Sequence, residues 1–243
     1  LMSQEKSFLK IFQYSETSIL LEFKQEPKID LLNELIAFKK TLNSNLCGIK
    51  QITLSYKSLL LQFSNPIKKD QNLKEEILKL YLSFDSSKSK IKSKHWNIPV
   101  CYESKYASDL SSISEYLKLS HHQLIELHTK PIYQIYFIGF LPGFLYLGGL
   151  DTKLYHPRKK SPTLKVSKGA VGIGGRQTGI YPNQSPGGWN IIGTSPTSMF
   201  DPDLKQPCFA KSGDTLSFYS ISETTFKKIR KNKIPPNFSE IIL

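Results

Sequence analysis

The fold of this chain is decided by three consecutive runs: IGFLPGFLYLGGL (138–150), DTKLYHPRKKSPTLKVSKG (151–169) and AVGIGGRQTGIYPNQSPGGWNIIGTSP (170–196). Together they hold 12 of the 14 glycines of the chain. Glycine at this density is typical of positive φ angles or close backbone approach, and a helix interior does not tolerate it. The segment 138–196 is therefore predicted to consist of turns and short strands.

The same segment is rich in cations and poor in acids. Asp151 is its only carboxylate, and it contains Arg158 and Arg176, two of the three arginines of the chain. We expect it to bind an anion, because planar guanidinium groups clamp carboxylates and phosphates. A divalent metal site is not expected, since hard cations need several carboxylates. A self-contained acid/base pair is not expected either.

Composition excludes several classes of function. The chain has 243 residues, 39% of them hydrophobic, and a formal net charge of +13. Its 33 basic residues are almost all lysine, whereas nucleic-acid recognition favours arginine, so we predict a solvated lysine coat and no nucleic-acid partner. No apolar run is long enough for a membrane helix. Cys47, Cys101 and Cys208 lack CxxC spacing, which indicates reduced thiols in a cytoplasmic protein.

Residues 1–94 predict an N-terminal α+β domain. Apolar alternation predicts strands and helical spacing predicts helices. The strands are expected at 8–12, 18–23, 51–56 and 58–63, and the helices at 31–42 and 73–81. With 98–102 as the last strand, the order is βαββαβ preceded by one extra strand, which is the ferredoxin-like split βαβ arrangement. The strand at 98–102 fits this domain or the next one.

The Ser- and Lys-rich run 86–94 predicts a solvated hinge, so a second domain is expected over 95–243. Short strands punctuated by Gly and Pro predict a closed or nearly closed barrel there. The expected elements are helices at 108–119, 120–128 and 223–233, and strands at 133–140, 171–175, 179–182, 189–195 and 215–222.

The run GIGGRQTG (172–179) has the composition of a phosphate-binding loop. It lacks the GK[ST] ending of a Walker A motif and is not a GxGxxG between strand and helix. A loop whose Gly174 and Gly175 amides and Arg176 side chain face an anion is the better prediction. Gln177 can supply both a donor and an acceptor to an amide or lactam.

Two further side chains are considered as catalytic groups. Ser185 precedes two glycines and Trp189, but GxSxG is absent and no His with a carboxylate partner is close in sequence, which disfavours a nucleophile. His156 lies inside the basic stretch and is the histidine that we predict to act at the site. The HHxxxxxH spacing of 121–128 does not match a zinc motif.

The run FLPGF (140–144) contains a Pro-Gly turn after a strongly apolar strand. It predicts an aromatic surface rimmed by cations, which suits either a partner protein or a small ligand. The residues assigned to this surface are Phe140, Pro142, Phe144 and Trp189.

Long and uncommon motifs over 98–202 resemble one known family. They are IPVCY, LHxxPxYxxYFIGFLPGFLYLGGLD, HPR, GxVGIGGRQTGIYPNQSPGGWNIIGTSP and FDP. The family is that of the B subunits of the bacterial ATP-dependent 5-oxoprolinase, whose members are also labelled allophanate hydrolase subunit 1 or inhibitors of a sporulation histidine kinase. The resemblance implies a C-terminal cyclophilin-like β-barrel, a directly paired C subunit of the 5-oxoprolinase, and a further A subunit that phosphorylates the lactam with ATP.

The resemblance also implies an activity, the ATP-coupled opening of 5-oxo-L-proline to L-glutamate. Arg158 and Arg176 are expected to hold anionic groups, and Gln177 to contact the lactam carbonyl with His156 as a proton donor. The other residues assigned to the substrate are Gly174, Gly175, Thr178, Tyr181 and Ser185. Whether ATP touches this chain stays open. Two alternatives remain: a regulatory protein that inhibits a sensor histidine kinase, and a component of an allophanate or amide hydrolase.

Overall fold

The computed structural model describes residues 8–26, 28–68, 72–85 and 92–242, with side chains up to 239. The chain divides into two compact units, one of residues 1–91 with 242–243 and one of residues 92–241. The first part of the predicted hinge, 86–91, lies outside the described residues. Each unit is described by itself below.

The first unit is a four-stranded antiparallel sheet with two helices. Its elements are β1 (Leu9–Ser15), β2 (Ser18–Phe23), α1 (Ile29–Asn45), β3 (Ile49–Leu54), β4 (Ser58–Phe63) and α2 (Leu73–Ser83). The strand order is β1-β2-β4-β3. In α1 the apolar residues recur at helical spacing and are buried, and in β2 the alternate residues are buried. Each element thus directs one apolar face to a shared core.

The strand predicted to complete the βαββαβ unit belongs elsewhere. Residues 98–100 form the end of β5 (Lys92–Val100), which pairs in parallel with a strand of the second unit, Thr215 to Ser220. In the first sheet the N-terminal strand β1 lies beside β2 instead. The prediction that β5 could complete the first sheet is therefore wrong, because parallel pairing between strands far apart in sequence leaves no local signal.

The second unit is built on an eight-stranded mixed sheet. Its helices are α3 (Leu110–Leu117), α4 (His121–Thr129) and α5 (Glu223–Asn232). Its remaining strands are β6 (Tyr133–Ile138), β7 (Leu145–Gly148), β8 (Thr163–Val166), β9 (Ala170–Gly174), β10 (Gln177–Ile180), β11 (Ser185–Gly187), β12 (Asn190–Thr194), β13 (Thr215–Ser220) and β14 (Asn237–Ile242). The order is β12-β9-β10-β7-β6-β13-β5-β14, and β8 pairs with β11 separately.

The described strands do not form a closed barrel. The sheet has two edges, β12 and β14, and β12 is joined to the chain after β5 by one isolated bridge. In that bridge the Cys101 and Thr194 amides donate to each other's carbonyls at 2.9 and 3.0 Å. The connection after Cys101 runs along the β12 edge, since the Thr194 hydroxyl donates to the Tyr106 carbonyl at 2.7 Å and the Asp109 amide donates to the Ile191 carbonyl at 2.8 Å. The fully closed barrel is thus a wrong expectation, and the cyclophilin-like comparison stays a prediction.

Several strands have no alternating pattern that the sequence could show. β8 and β11 have four and three residues, and β7 follows a turn in a run that is apolar throughout. Such short segments carry too few residues to establish a period of two. Among the described helices, none is long and apolar enough to cross a membrane.

A buried histidine ties α4 to the sheet. His128 is fully buried, with Nδ1 2.7 Å from the Tyr102 hydroxyl and Nε2 2.9 Å from Thr178 Oγ1. The Thr178 hydroxyl donates to the Gly172 carbonyl at 3.0 Å, so it accepts from Nε2–H, and Nδ1 accepts from Tyr102. Burial lowers the pKa of His128 from 6.5 to about 3, so the ring is neutral at pH 7.

This histidine makes stability depend on pH in a defined direction. Below pH 6.5 the His128 side chain is protonated in the unfolded chain but stays neutral in the folded one. The free energy of unfolding therefore falls as the pH falls from 6.5 towards 3. The loss is about 1.4 kcal/mol for each pH unit. Between pH 7 and pH 4.5, urea unfolding should show a loss of stability that is smaller for His128→Gln than for the wild type, by about 3 kcal/mol.

The matched control is His121→Gln, at the exposed start of the same helix. This variant should keep the wild-type pH dependence. An equal loss of stability in His128→Gln and the wild type would contradict the assignment.

Candidate functional site

The glycine-rich run 172–179 is a β-hairpin rather than an open loop. Gly174 pairs with Gln177, so Gly175 and Arg176 form a two-residue turn at the hairpin tip. Gly175 has φ 68°, whereas Arg176 is not among the positive-φ residues, as in a type II′ turn. The Gly175 amide donates to the His156 carbonyl at 2.7 Å. That amide is therefore already used within the chain and does not face a ligand.

A short segment, residues 155–160, crosses this hairpin, and we call it the strap. The His156 amide donates to the Gly175 carbonyl at 3.1 Å, and the Lys159 amide donates to the Gly188 carbonyl at 2.7 Å. Between them, Asn190 Nδ2 donates to the Pro157 carbonyl at 2.9 Å. The backbone is thus held at three points, which brings His156 and Arg158 beside the hairpin.

An aromatic cluster forms the wall next to the strap. The Trp189 indole packs over the hairpin: a Cβ built at Gly174 would lie 2.5 Å from its Nε1, and one at Gly179 would lie 3.0 Å from its Cζ3. The Phe144 ring meets the Trp189 and Tyr181 rings edge-on, at centroid distances of 5.4 and 5.3 Å. Phe144, Tyr181 and Trp189 are all buried. They are therefore a buried support, and of the four residues assigned to the aromatic surface only Phe140 and Pro142 are exposed.

Arg158 lies on this wall. Its guanidinium carbon is 5.8 Å from the centre of the Trp189 ring, within the range of a cation–π contact. Burial raises the pKa values of Tyr146 and Tyr181, and the charge of Arg158 opposes both shifts, so the guanidinium also lies near these phenols. The aromatic wall holds the cation at the surface without neutralising it.

Arg176 has a similar support at the hairpin tip. Its guanidinium carbon is 5.8 Å from the centre of the Tyr155 ring. Both arginines are exposed, and within the described residues neither forms a salt bridge. Their charges are therefore available to an anion, as the composition predicts, although the two guanidinium groups rest on different rings.

His156 has the environment of a proton-transfer group. Its ring meets the Tyr116 ring of α3 edge-on at 4.6 Å, and its Nδ1 is buried with no hydrogen-bond partner among the described residues. Burial lowers the pKa of His156, and the charge of Asp109 opposes this shift. The lowered pKa favours the neutral imidazole, which is the form that can accept a proton.

Asp109 is a residue that sequence reasoning missed. The sequence shows it as a helix-start residue only, yet its carboxylate accepts from Lys159 Nζ at 2.8 Å and from the Ile191 amide at 2.6 Å. The expectation of a site without a nearby acid is therefore wrong. Asp109 lies 50 residues before Lys159 and 82 before Ile191, and no local pattern reports such a contact.

The other predicted side chains fall into different places. Thr178 is fully buried and bonded to His128, so its side chain does not reach a ligand. Ser185 is half-buried in β11, and its hydroxyl donates to the Pro186 carbonyl at 3.1 Å. Gln177 is half-buried, and its side chain has no hydrogen bond to another described residue. Of the FLPGF residues, Phe140 and Pro142 are exposed.

No group of three His, Cys, Asp or Glu side chains suited to a metal ion occurs in the described ranges. The three cysteines are free thiols. The fold thus places Arg158 and His156 on the strap and Arg176 at the tip of the hairpin that the strap crosses, with the aromatic wall beside Arg158. Such a set can bind a small planar anion and move a proton beside it.

The packing of Trp189 on glycine gives a direct test. Gly174→Ala would press a methyl group into the indole ring, which must then shift, and overpacking of this kind costs about 1–3 kcal/mol. Urea unfolding should show this loss. Gly188→Ala is the control, because its Cβ would come no closer than 3.8 Å, to the Lys159 carbonyl, and it should be nearly neutral. Equal stability of the two variants would refute the packing argument.

Comparison with known proteins gives a matching family model and a curated relative. The family model "Carboxyltransferase domain, subdomain C and D" matches residues 9–210. The curated B subunit of 5-oxoprolinase from Haemophilus influenzae is 34% identical over 216 residues, which cover 86% of this chain and 97% of that protein.

Two solved structures share the fold. The protein TTHA0988 superposes with a TM-score of 0.72 at 30% identity, over 84% of this chain and 40% of that one. The Kluyveromyces lactis urea carboxylase superposes with a TM-score of 0.77 at 18% identity, over 97% of this chain and 24% of that one, which shows likeness of fold alone. This chain therefore spans less than half of either longer protein.

Proposed function

Because this chain belongs to the family of the 5-oxoprolinase B subunits, which carry the carboxyltransferase domain of subdomains C and D, we propose that it is the B subunit of an ATP-dependent 5-oxoprolinase. The complex opens the lactam of 5-oxo-L-proline to L-glutamate together with the A and C subunits. Its place is the cytoplasm, which suits its three free thiols.

The observation that carries this proposal is the pair of unneutralised guanidinium groups, Arg158 on the Trp189 ring and Arg176 on the Tyr155 ring. 5-Oxo-L-proline is a nearly planar ring with one carboxylate. A planar fork on an aromatic support, as at Arg158 on Trp189, pairs with a carboxylate through two parallel hydrogen bonds. Arg176, at the hairpin tip, is assigned to a second anionic group, such as the phosphate of an activated lactam.

The proposed chemistry divides between the components of the complex. ATP supplies the phosphoryl group that activates the lactam carbonyl, and we assign ATP binding to another component because the Gly175 amide is used inside this chain. Neutral His156 takes a proton from the attacking water. It returns the proton to the ring nitrogen as the carbon–nitrogen bond breaks, which leaves an acyl phosphate. A second water hydrolyses this acyl phosphate to L-glutamate and inorganic phosphate. Gln177, with no hydrogen bond to another described side chain, is assigned to the lactam amide.

The activity is tested by reconstitution. The chain co-expressed with the A and C subunits should release glutamate from 5-oxo-L-proline in the presence of ATP, and the chain alone should not. In this complex Arg158→Ala should lower kcat/KM by roughly 10- to 150-fold, the loss of a charged hydrogen bond of about 1.5–3 kcal/mol.

Arg230→Ala is the matched control for this variant. Arg230 also rests on an aromatic ring, that of Phe226 in α5, at 5.9 Å, but it lies outside the proposed site. Its removal should leave kcat/KM unchanged. Full activity of Arg158→Ala would exclude the assigned carboxylate contact.

We assign the contact with the C subunit to the exposed part of FLPGF. Phe140 is 64% exposed and has φ 68°, which is unusual for an aromatic residue and costs about 1–3 kcal/mol. The Leu141–Phe144 turn beside it is closed by a 3.0 Å bond, and Gly143 has φ 85° inside that turn. A strained and exposed aromatic side chain on a firm turn is typical of an interaction surface.

Phe140→Ala should therefore weaken assembly with the C subunit by at least about tenfold in Kd, measured by calorimetry. Leu164→Ala is the control, because Leu164 is another exposed apolar residue, on β8. Equal affinities of the two variants would show that the C subunit contacts another surface.

A further inference from the structure

Asp109 connects three parts of the second unit at the proposed anion site. Its backbone amide donates to the Ile191 carbonyl at 2.8 Å, and its carboxylate accepts from the Ile191 amide at 2.6 Å. Asp109 thus satisfies both backbone groups of Ile191 at the edge of β12. The same carboxylate holds the Lys159 ammonium at 2.8 Å, and Asp109 immediately precedes α3.

The contact with Lys159 acts on the C-terminal part of the strap. Lys159 Nζ also donates to Thr163 Oγ1 at 3.2 Å, so its side chain is fixed from both sides. Arg158 is the residue before Lys159, and His156 is three residues before it. A side chain anchored at Lys159 therefore limits the positions that the Arg158 guanidinium and the His156 ring can take.

The ion pair of Lys159 and Asp109 also determines the local charge. The side chains of Lys159 and Asp109 are 24% and 17% exposed, so the ion pair is shielded from water more than a surface pair. An unpaired carboxylate at this place would repel an anionic ligand. Because Lys159 neutralises it, this carboxylate does not reduce the positive charge that Arg158 and Arg176 present.

We propose that Asp109 is a positioning residue for anion recognition: through Lys159 and the Ile191 amide it holds the strap so that Arg158 lies on Trp189. Asp109 does not touch the ligand. The identity of the anion, 5-oxo-L-proline, rests on the proposed function, whereas the mechanical role of Asp109 does not.

The test follows the Trp189 indole by NMR. The ¹⁵N-labelled chain is titrated with 5-oxo-L-proline, and the Trp189 Nε1 signal reports ligand at the neighbouring Arg158. The Trp96 Nε1 signal is an internal control of folding, since that group donates to Asp214 at 3.0 Å. In Asp109→Asn the free Trp189 signal should shift and the Kd should rise about tenfold or more, with the Trp96 signal unchanged.

Two other variants make the comparison specific. Glu115→Gln removes the same charge from an exposed position of α3 and should bind as the wild type does. Lys159→Met keeps the bond of Asp109 to the Ile191 amide, removes the tie to the strap and leaves the Asp109 carboxylate without its cation. It should weaken binding as Asp109→Asn does, and the double variant should be little weaker than either single one. Lys159→Met also serves as the test if Asp109→Asn does not fold.

Hydrogen exchange separates this inference from the proposed function. Exchange in peptides covering the strap should be faster in Asp109→Asn and Lys159→Met than in the wild type and in Glu115→Gln. If the wild-type Trp189 signal does not change on addition of 5-oxo-L-proline, the proposed substrate is wrong. Faster hydrogen exchange in the strap of the two variants would still support the positioning role. Unchanged strap exchange in both variants, or wild-type affinity in both, would overturn it.

Discussion

The packing of the Trp189 indole on the bare backbone of the β9–β10 hairpin is the contact on which the second unit depends. Gly172, Gly174 and Gly179 leave room for it, and a methyl group at any of them would come within 3.1 Å of the Trp189 side chain. The absence of a side chain at these three positions is therefore a steric requirement. A large ring fixed in this way gives the site a rigid aromatic wall at little cost in side-chain entropy.

The remaining features of the site depend on the aromatic wall. The strap crosses the hairpin where Gly175 bonds to His156, so it passes directly beside the indole. Arg158 then rests on the ring face, and its charge stays at the surface instead of being paired inside the protein. Because each arginine is held by an aromatic ring and not by a carboxylate, its hydrogen-bonding edge is left for a ligand.

Local patterns predict much of the fold, and long-range contacts account for the errors. Helix α1 and strand β2 have strong periods of 3.6 and 2, and the structure has both near the predicted positions. The sequence does not assign strand β5 to one domain, because its partner β13 lies more than a hundred residues away. Short strands punctuated by Gly and Pro predict a closed or nearly closed barrel. Full closure depends on how the edge strands meet, and at β12 a connecting segment takes that position.

The candidate site shows the same division. The abundance of glycine and basic residues over 138–196, and the presence of Arg158, Arg176 and His156 there, can be read directly from the chain, because composition reports which groups are available. Composition does not show which way a group points. The Thr178 side chain points inward to His128, and the Gly175 amide is bonded to the strap. Only the tertiary structure brings in Asp109 from outside the segment, since a salt bridge depends on distance in space and leaves no trace in local sequence.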